Sequence, residues 1–260
     1  MDIYNEISRL RKAGQPFVLA TIIRTEGASP RAAGAKMLVF PDGTIHSTIG
    51  GGNFEKLVID DCLALLKSEK GYLLKKYSFS TEGEEATGMT CGGEAEVFME
   101  AAFRPKRLII FGSGHIAREL ARLARGSEFA ITIIDDRKDI LVQYQDPVST
   151  IQMDKEYTAP LPALDKNSYV VIVTRAHQFD RQVLARVINE ECAYIGMIGS
   201  RKKIAGIYAS LEESGVSRTL LERVHAPIGL NIKGEGPYEI AVSILAEIIA
   251  VKNGMLAPSV

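Results

Sequence analysis

Two different patterns of apolar and polar positions divide the chain. In the N-terminal part, short stretches of alternating polarity are interspersed with two amphipathic helical patterns, Ile3 to Lys12 and Phe54 to Ser68. Alternation with period two predicts half-buried strands, and the mixture is typical of a small α+β domain. The predicted strands are Phe17 to Ile23, Lys36 to Phe40, Thr44 to Ile49, Tyr72 to Phe79 and Glu94 to Glu100.

Beyond a proline-containing junction near Ala101 to Lys106, short apolar runs alternate with helical patterns. This alternation predicts a parallel sheet with helices on both faces, a doubly wound Rossmann-like α/β fold. We therefore predict two domains, an α+β domain over residues 1–103 and a Rossmann-like domain over 104–260. The predicted strands are Leu108 to Phe111, Ile131 to Ile134, Val148 to Met153, Tyr169 to Thr174 and Tyr194 to Ile198; the helices begin near Ile116, Phe179, Lys202 and Tyr238.

Composition narrows the class of protein. The chain has 260 residues, 46% of them hydrophobic, and 31 basic against 32 acidic residues. The resulting net charge of −1 does not favour nucleic acid or an anionic membrane as a partner. No apolar run approaches the ~20 residues of a membrane span, and the N-terminus does not resemble a signal peptide. Three cysteines, Cys62, Cys91 and Cys192, without C-x-x-C spacing predict reduced thiols and a cytoplasmic location.

One turn carries the nucleotide prediction. The run L-I-I-F-G-S-G-H-I-A places Gly112, Gly114 and Ala117 in a G-x-G-x-x-A pattern between a predicted strand and a helix. The first glycine permits the tight turn, the second lets a pyrophosphate approach the backbone, and the small third residue lets the helix pack on the strand. The N-terminus of that helix would then hold the phosphates. A Rossmann-like domain that binds nothing is the alternative.

Acidic residues at the next strand end strengthen this prediction. Asp135 and Asp136 lie a little over 20 residues after Gly112, where a carboxylate can accept hydrogen bonds from ribose hydroxyls. An acid at this position favours NAD over NADP, although Arg137 leaves NADP open. Four predicted strand ends meet at one edge of the sheet, and the nucleotide-binding residues predicted there are Gly112, Ser113, Gly114, His115, Ile116, Asp135, Asp136, Thr174 and His177.

Two glycine-rich loops in the N-terminal part indicate further chemistry. Gly50, Gly51 and Gly52 lie between a strand and a helix, where backbone N–H groups could face an anionic ligand. Cys91 lies in M-T-C-G-G, and Gly92 and Gly93 leave its sulfur accessible and favour a thiolate. A reactive thiol and an inert buried one are both compatible with this pattern, whereas the apolar surroundings of Cys62 and Cys192 favour core positions.

The other histidines and basic residues keep two interpretations each. His115 either contacts a ligand or packs at a helix start, and structural roles are favoured for His46 and His225. The run that begins at Arg201 either receives a phosphate at a helix N-terminus or is a solvated basic turn.

Six motifs, in order along the whole chain, resemble the xanthine dehydrogenase accessory protein family, XdhC/CoxI. They are R-T-E-G-A-S-P-R-A-A-G, S-T-I-G-G-G-N-F-E, G-M-T-C-G-G-E-A-E-V-F-M-E, F-G-S-G-H-I-A-R-E-L-A-R-L-A, Y-I-G-M-I-G-S-R-K-K and H-A-P-I-G-L followed by P-Y-E-I-A-V-S-I-L-A-E-I-I-A.

The resemblance implies an N-terminal XdhC/CoxI domain joined to a Rossmann domain, and a chaperone for the molybdenum cofactor. It implies binding of a molybdopterin-type cofactor, support for its sulfuration with sulfur from a cysteine desulfurase, and delivery to a molybdenum hydroxylase client such as xanthine dehydrogenase. On this interpretation Cys91 is the catalytic thiol and a molybdenum ligand, because thiolate is a soft ligand. The residues implied to bind molybdopterin are Ser29, Arg31, Gly50, Gly51, Gly52, Gly92 and Gly93.

Two positions depart from the family pattern. Many relatives carry a second cysteine where this chain has Asn53, which puts two-thiol chemistry in doubt. The loop after the fourth Rossmann strand often reads T-H-D-H in relatives, but here it is Thr174-Arg175-Ala176-His177, which disfavours a metal site there.

Two other functions remain open. An NAD(P)-dependent oxidoreductase would use His177 or Cys91 in turnover of a small substrate, and a nucleotide-sensing or assembly scaffold would bind without turnover. A homodimer is expected with each, because a small α+β domain with amphipathic helices leaves apolar surface to cover and two-fold dimers are the commonest oligomers.

Overall fold

The computed structural model describes residues 2–68, 70–79, 92–145 and 147–256. The chain forms two compact units, Met1–Arg104 and Pro105–Val260. No helix within the described ranges combines the length and the apolar character that a membrane crossing requires.

The N-terminal unit is a five-stranded antiparallel sheet with two helices, which confirms the predicted α+β class. Its strand order is β3-β2-β1-β5-β4. The elements are α1 (Ile3–Lys12), β1 (Phe17–Glu26), β2 (Lys36–Val39), β3 (Ile45–Ser47), α2 (Gly52–Ser68), β4 (Tyr72–Ser78) and β5 (Glu94–Ala102).

Helix α2 covers one face of this sheet. Its buried side chains, Phe54, Val58, Cys62 and Leu65, recur at three- and four-residue intervals and so form one stripe. Phe54 packs edge to face on Tyr77 and Phe79, with ring centroids 5.4 and 5.1 Å apart. Strand β5 beneath the helix alternates buried and partly exposed positions, as the sequence pattern predicts.

The C-terminal unit is a six-stranded parallel sheet in the order β11-β10-β9-β6-β7-β8, which confirms the Rossmann-like prediction. Counted from the unit's first strand, this is the doubly wound order 3-2-1-4-5-6. The elements are β6 (Arg107–Phe111), α3 (His115–Ala124), β7 (Ala130–Asp135), α4 (Lys138–Leu141), β8 (Ser149–Gln152), β9 (Ser168–Ile172), α5 (His177–Val187), β10 (Tyr194–Met197), α6 (Arg201–Glu213), α7 (Arg218–Leu221), β11 (Val224–His225) and α8 (Pro237–Lys252).

Successive residues of β6 enter two different cores, one on each face of the sheet. Leu108 and Ile110 pack with α3 and α8, whereas Ile109 and Phe111 pack with α5 and α6. A strand covered on both faces has no polar side, which is why its sequence is a continuous apolar run. The two short helices α4 and α7 and the two-residue strand β11 were not predicted, because such short elements carry no detectable periodicity.

Candidate functional site

The C-terminal unit has its topological switch point between β6 and β9, which are neighbours in the sheet while their following helices, α3 and α5, pack on opposite faces. In open α/β sheets, ligands bind beyond the carboxyl ends of the strands at this point. The loops that follow β6, β7 and β9 contain most of the nucleotide-binding residues predicted from the sequence.

The two glycines of the turn after β6 have different roles. Gly112 has φ +112°, and a β-carbon there would lie 2.2 Å from the backbone oxygen of Val173. A side chain is therefore excluded at Gly112 by both conformation and space. Gly114 is the N-cap of α3, with φ −70°, and a β-carbon there would meet no heavy atom within 4 Å. Only the second glycine leaves open space for a ligand.

Asp135 holds this turn in place from the end of β7. Its side chain is fully buried; one oxygen accepts a hydrogen bond from the Ser113 N–H at 2.7 Å, and both accept hydrogen bonds from Arg137. Burial raises the pKa of Asp135, but the hydrogen bonds from Arg137 and Ser113 outweigh it and bring the pKa to about 2. Asp135 therefore positions the glycine turn, and its predicted contact with a ribose stays a prediction.

We expect Asp135→Asn to destabilise the protein by about 2–4 kcal/mol at pH 7. The amide N–H₂ of asparagine would face two donors, the Arg137 guanidinium and the Ser113 N–H, and the partly buried charge of Arg137 would lose its partner. In the wild type, the lowered pKa contributes about 2 kcal/mol above pH 4, which is lost as the pH falls towards 2. Urea unfolding measures both effects. Asp139→Asn, at an exposed position of α4, is the control; equal stability of the two variants would contradict the role given to Asp135.

Asp136 presents an unused acceptor at the same strand end. Its Oδ2 accepts a hydrogen bond from the Arg175 guanidinium at 2.7 Å, whereas its Oδ1 is buried and has no hydrogen-bond partner among the described residues. Burial raises the pKa of Asp136 above its ordinary value. A buried oxygen without a donor is costly, so Oδ1 fits a ligand hydroxyl such as that of a ribose.

The loop after β9 is organised by an acid that the sequence analysis missed. Asp180 is buried, and its Oδ1 accepts hydrogen bonds from the N–H and the hydroxyl of Thr174, at 3.1 and 2.6 Å. Its Oδ2 lies 3.5 Å from Nδ1 of the half-exposed His177. Burial raises the pKa of Asp180 despite these bonds. An acid in the first turn of a helix that follows a polar loop was the available sequence signal.

The remaining predicted residues of the turn differ in accessibility. His115 is exposed at the first position of α3, whereas Ile116 is half-buried against the core. Ser113 is buried, and its hydroxyl accepts a hydrogen bond from Arg137 at 3.3 Å. The Ser113 N–H and carbonyl are bonded to Asp135 and Tyr144, so within this turn the open space lies at Gly114.

In the N-terminal unit, the loop between β1 and β2 brings two predicted glycine segments together. A β-carbon on Gly50 would lie 2.5 Å from the Pro30 side chain, and one on Gly93 would lie 2.1 Å from the Ala28 backbone oxygen. Gly51, Gly52 and Gly92 face open space, since a β-carbon there would meet nothing within 4 Å. Residues 28–30 thus contact both glycine segments, and Cys91 lies outside the described residues.

Glu55 changes the role expected of the triple glycine. Its Oε2 accepts hydrogen bonds from the Thr48 hydroxyl and from the N–H groups of Ile49 and Gly51, the latter two at 3.1 and 3.2 Å. The Gly50 N–H donates to the Thr48 hydroxyl at 3.1 Å. These N–H groups are therefore engaged within the protein, contrary to the expectation that they face a ligand. The predicted binding by this segment depends instead on the space that Gly51 and Gly52 leave, because Gly50 lies against Pro30.

The neighbouring polar residues of this loop are oriented towards solvent. The Ser29 hydroxyl donates to the Arg31 carbonyl at 2.8 Å, which tightens the turn. Arg31 is exposed and forms no ion pair within the described ranges, so its guanidinium is available to an anion.

The two cysteines other than Cys91 are buried in the structure. Burial raises the pKa of Cys62 to about 12 and that of Cys192 to about 11, which confirms both as core residues. No cluster of three metal-ligating side chains occurs in the described part of the chain.

Family comparison agrees with this two-part architecture. Residues 108–248 match the XdhC Rossmann domain, and residues 10–78 match the XdhC and CoxI family. The chain belongs to the XdhC/CoxI family. The resemblance found in the motifs is thereby confirmed, and the Rossmann crevice of this XdhC/CoxI chain lies within the matched range.

Curated relatives of this XdhC/CoxI chain include three bacterial proteins. An uncharacterized protein YqeB of Escherichia coli strain K12 is 36% identical over the whole chain, which spans 49% of that protein. A probable xanthine dehydrogenase subunit of Bacillus subtilis strain 168 is 28% identical over 60% of the chain and 46% of its own length. The molybdenum cofactor insertion chaperone PaoD of Escherichia coli strain K12 is 22% identical over 92% of the chain and 85% of its own length. The chain thus spans about half the length of the first two.

A solved structure shares the fold of this XdhC/CoxI chain. The crystal structure of a xanthine dehydrogenase from Bacillus halodurans covers 100% of the chain, with 98% of its own residues aligned, at a TM-score of 0.52 and 21% identity. At this identity the likeness concerns the fold alone.

Proposed function

We propose that the protein is an accessory chaperone that binds the molybdenum cofactor, supports its sulfuration and inserts it into a molybdenum hydroxylase. The main support for this proposal is membership of the XdhC/CoxI family. The role in cofactor insertion is suggested by the relative PaoD, a molybdenum cofactor insertion chaperone that aligns with 92% of the chain. The client is a hydroxylase of the xanthine dehydrogenase type, and the sulfur comes from a cysteine desulfurase.

In this proposal the N-terminal unit holds the pterin. The open positions at Gly51, Gly52 and Gly92 provide space for a bulky heterocycle, and the exposed Arg31 provides a charge for its phosphate. Cys91 supplies a soft sulfur ligand for molybdenum. When bound, the cofactor would supply the molybdenum chemistry, and Arg31 and the glycine loops would hold and orient it.

The C-terminal unit binds a nucleotide, for which we propose NAD. A pyrophosphate fits the open position at Gly114 and the N-terminus of α3, and a ribose hydroxyl fits Asp136 Oδ1, which has no partner among the described residues. We expect the nucleotide to be bound without reacting, because a chaperone does not need the acid and base pair with which an oxidoreductase acts on its substrate. Hydride transfer with a small substrate would instead indicate the oxidoreductase alternative.

The proposal is tested by copurification. The full chain, produced in cells that make molybdenum cofactor, is expected to retain molybdenum and pterin together in near-equal amounts. The control is the same chain from cells that do not make the cofactor. Molybdenum and pterin at the control level, together with no stimulation of an apo-hydroxylase client, would overturn it.

We further expect a homodimer. On the sheet of the N-terminal unit, Tyr72 and Leu74 of the edge strand β4 are 66% and 48% exposed, and the Tyr72 ring packs at a tilt against Phe98, with centroids 6.0 Å apart. Such an apolar edge is costly in a monomer. Light scattering at micromolar concentration should give twice the chain mass of 28.4 kDa. Tyr72→Lys should shift the mass towards the monomer, whereas a wild type that is monomeric throughout would contradict the expectation.

A further inference from the structure

A cavity of about 1100 Å³ lies within the C-terminal unit, apart from the glycine turn. It lies beyond the carboxyl ends of β10 and β11, between the loops that follow these strands and the side of α8 that carries Ser243 and Glu247. Its size is that of a small-molecule site, and its position relative to the sheet is one where ligands of open α/β folds bind.

Two buried polar side chains, His225 and Glu247, line this cavity, and Tyr194 behind them completes one network. The Tyr194 hydroxyl donates to Glu247 Oε1, and the same oxygen lies 3.4 Å from His225 Nδ1. The rings of Tyr194 and His225 pack at 4.6 Å between centroids, and all three residues are at most 5% exposed. Burying a carboxylate and an imidazole costs folding free energy, and apolar side chains would form the same wall without that cost. The two polar groups therefore indicate a ligand in the cavity.

The geometry leaves one ring nitrogen of His225 for a ligand. Glu247 faces Nδ1 and so favours a proton there, which leaves Nε2 as a hydrogen-bond acceptor. Burial lowers the pKa of His225, although the charge of Glu247 opposes this effect. With the Nδ1 proton facing Glu247, the group that Nε2 accepts from is a donor, such as a ring or amino N–H of a heterocycle.

Two glycines show that this wall is closely built. A β-carbon on Gly196 would lie 2.4 Å from the Tyr194 hydroxyl, so the absence of a side chain there makes room for the network. Gly229, with φ +95°, brings the loop after β11 against α8, since its β-carbon would lie 2.4 Å from the Ser243 hydroxyl. The residues of the network are thereby held in fixed positions.

The mouth of the cavity is basic. Arg201, Lys203 and Lys233 line it, are exposed, and have no acidic partner in the described part of the chain. Of the two acidic residues in the lining, Glu222 is paired with Arg218 and Glu247 belongs to the buried network. Arg201 and Lys203 also lie in the first turn of α6, whose backbone N–H groups favour an anion.

We propose that this cavity binds a phosphorylated nitrogen heterocycle, with the phosphate at Arg201, Lys203 and Lys233 and an N–H of the heterocycle, either on its ring or on its amino group, donating to His225 Nε2. The ligand is either a nucleotide or a phosphorylated pterin, since both have this chemistry. The inference goes beyond the proposed function, which gives the C-terminal unit only the glycine-turn site. Only the pterin as a ligand of this cavity rests on the proposed function; the nucleotide does not.

Calorimetry on the full chain with pyrophosphate and ADP tests the mouth of the cavity. Combining Arg201→Gln with Lys203→Gln should weaken pyrophosphate binding at least tenfold. Lys202→Gln, on the same helix turn but outside the cavity lining, removes one positive charge and should have no effect, whereas each of the single variants Arg201→Gln and Lys203→Gln, which remove one charge as well, should weaken binding. If pyrophosphate binding is absent in the wild type, or is lost in Gly114→Val and unchanged in the double variant, the cavity is not the phosphate site.

A second arm tests the network and separates the two ligand sources. If the ligand is a nucleotide, ADP binds more tightly than pyrophosphate. His225→Phe then removes that difference in affinity without changing pyrophosphate binding. His225→Gln keeps a hydrogen-bonding side chain, and unchanged pyrophosphate binding in both variants shows that the loss of ADP affinity is not caused by unfolding. If the ligand is a pterin, the double variant purified from cofactor-making cells has less pterin than the Lys202→Gln control. Pterin and ADP binding that are both unchanged in the double variant overturn the inference, even where the wild-type chain retains molybdenum and the proposed function stands.

Discussion

Cys91→Ala is expected to abolish activation of the client hydroxylase while leaving the protein folded. The sequence places this thiol before two glycines, so its loss removes little packing but takes away the soft ligand of the proposed cofactor site. The measurement is the activity of an apo-hydroxylase reconstituted with cofactor, a cysteine desulfurase, cysteine and the variant, beside a urea unfolding curve of the variant alone.

The other two cysteines provide a matched control. Cys192 is buried and its pKa is raised to about 11, so Cys192→Ala should change stability slightly and leave activation intact. A thiol reagent should correspondingly find one fast-reacting sulfur in the native wild type and none in Cys91→Ala, because Cys62 and Cys192 are shielded. Client activation at the wild-type level by Cys91→Ala would make this cysteine structural.

Gly114→Val and Gly112→Ala should fail in different ways. Valine at Gly114 enters open space with an ordinary φ, so we expect a stability loss of about 1 kcal/mol and NAD binding weakened at least a hundredfold, since the branched side chain occupies the place of the pyrophosphate. Alanine at Gly112 meets the Val173 carbonyl at 2.2 Å with φ +112°, and we expect it to cost about 3 kcal/mol or more of folding stability.

Calorimetry with NAD and urea unfolding on each variant distinguish the two effects. Gly126→Val, in a turn where a β-carbon also meets nothing within 4 Å, controls for adding a valine at the surface. Equal NAD affinity in Gly114→Val and Gly126→Val would remove the glycine turn from the binding site. A wild type that does not bind NAD would favour the interpretation of a Rossmann fold without a nucleotide.

The sequence by itself determined the elements whose signals are local. Apolar runs bounded by glycine predicted β6 and β7, the G-x-G-x-x-A spacing predicted the turn into α3, and period-two alternation predicted the strands of the N-terminal sheet. The order of six motifs also identified the family. These features depend on neighbouring residues and on a period fixed by helix or strand geometry, so one chain is enough to detect them.

Tertiary structure alone decided which polar groups meet. Asp135 and Asp136 were both predicted at a ribose; the fold engages Asp135 with Ser113 and Arg137, whereas Asp136 Oδ1 has no hydrogen-bond partner among the described residues. Tyr194, His225 and Glu247 are separated by up to 53 residues along the chain and meet because β10, β11 and α8 pack together. No local period records such contacts, since they arise from the packing of distant elements and from the cost of burying a polar group without a partner.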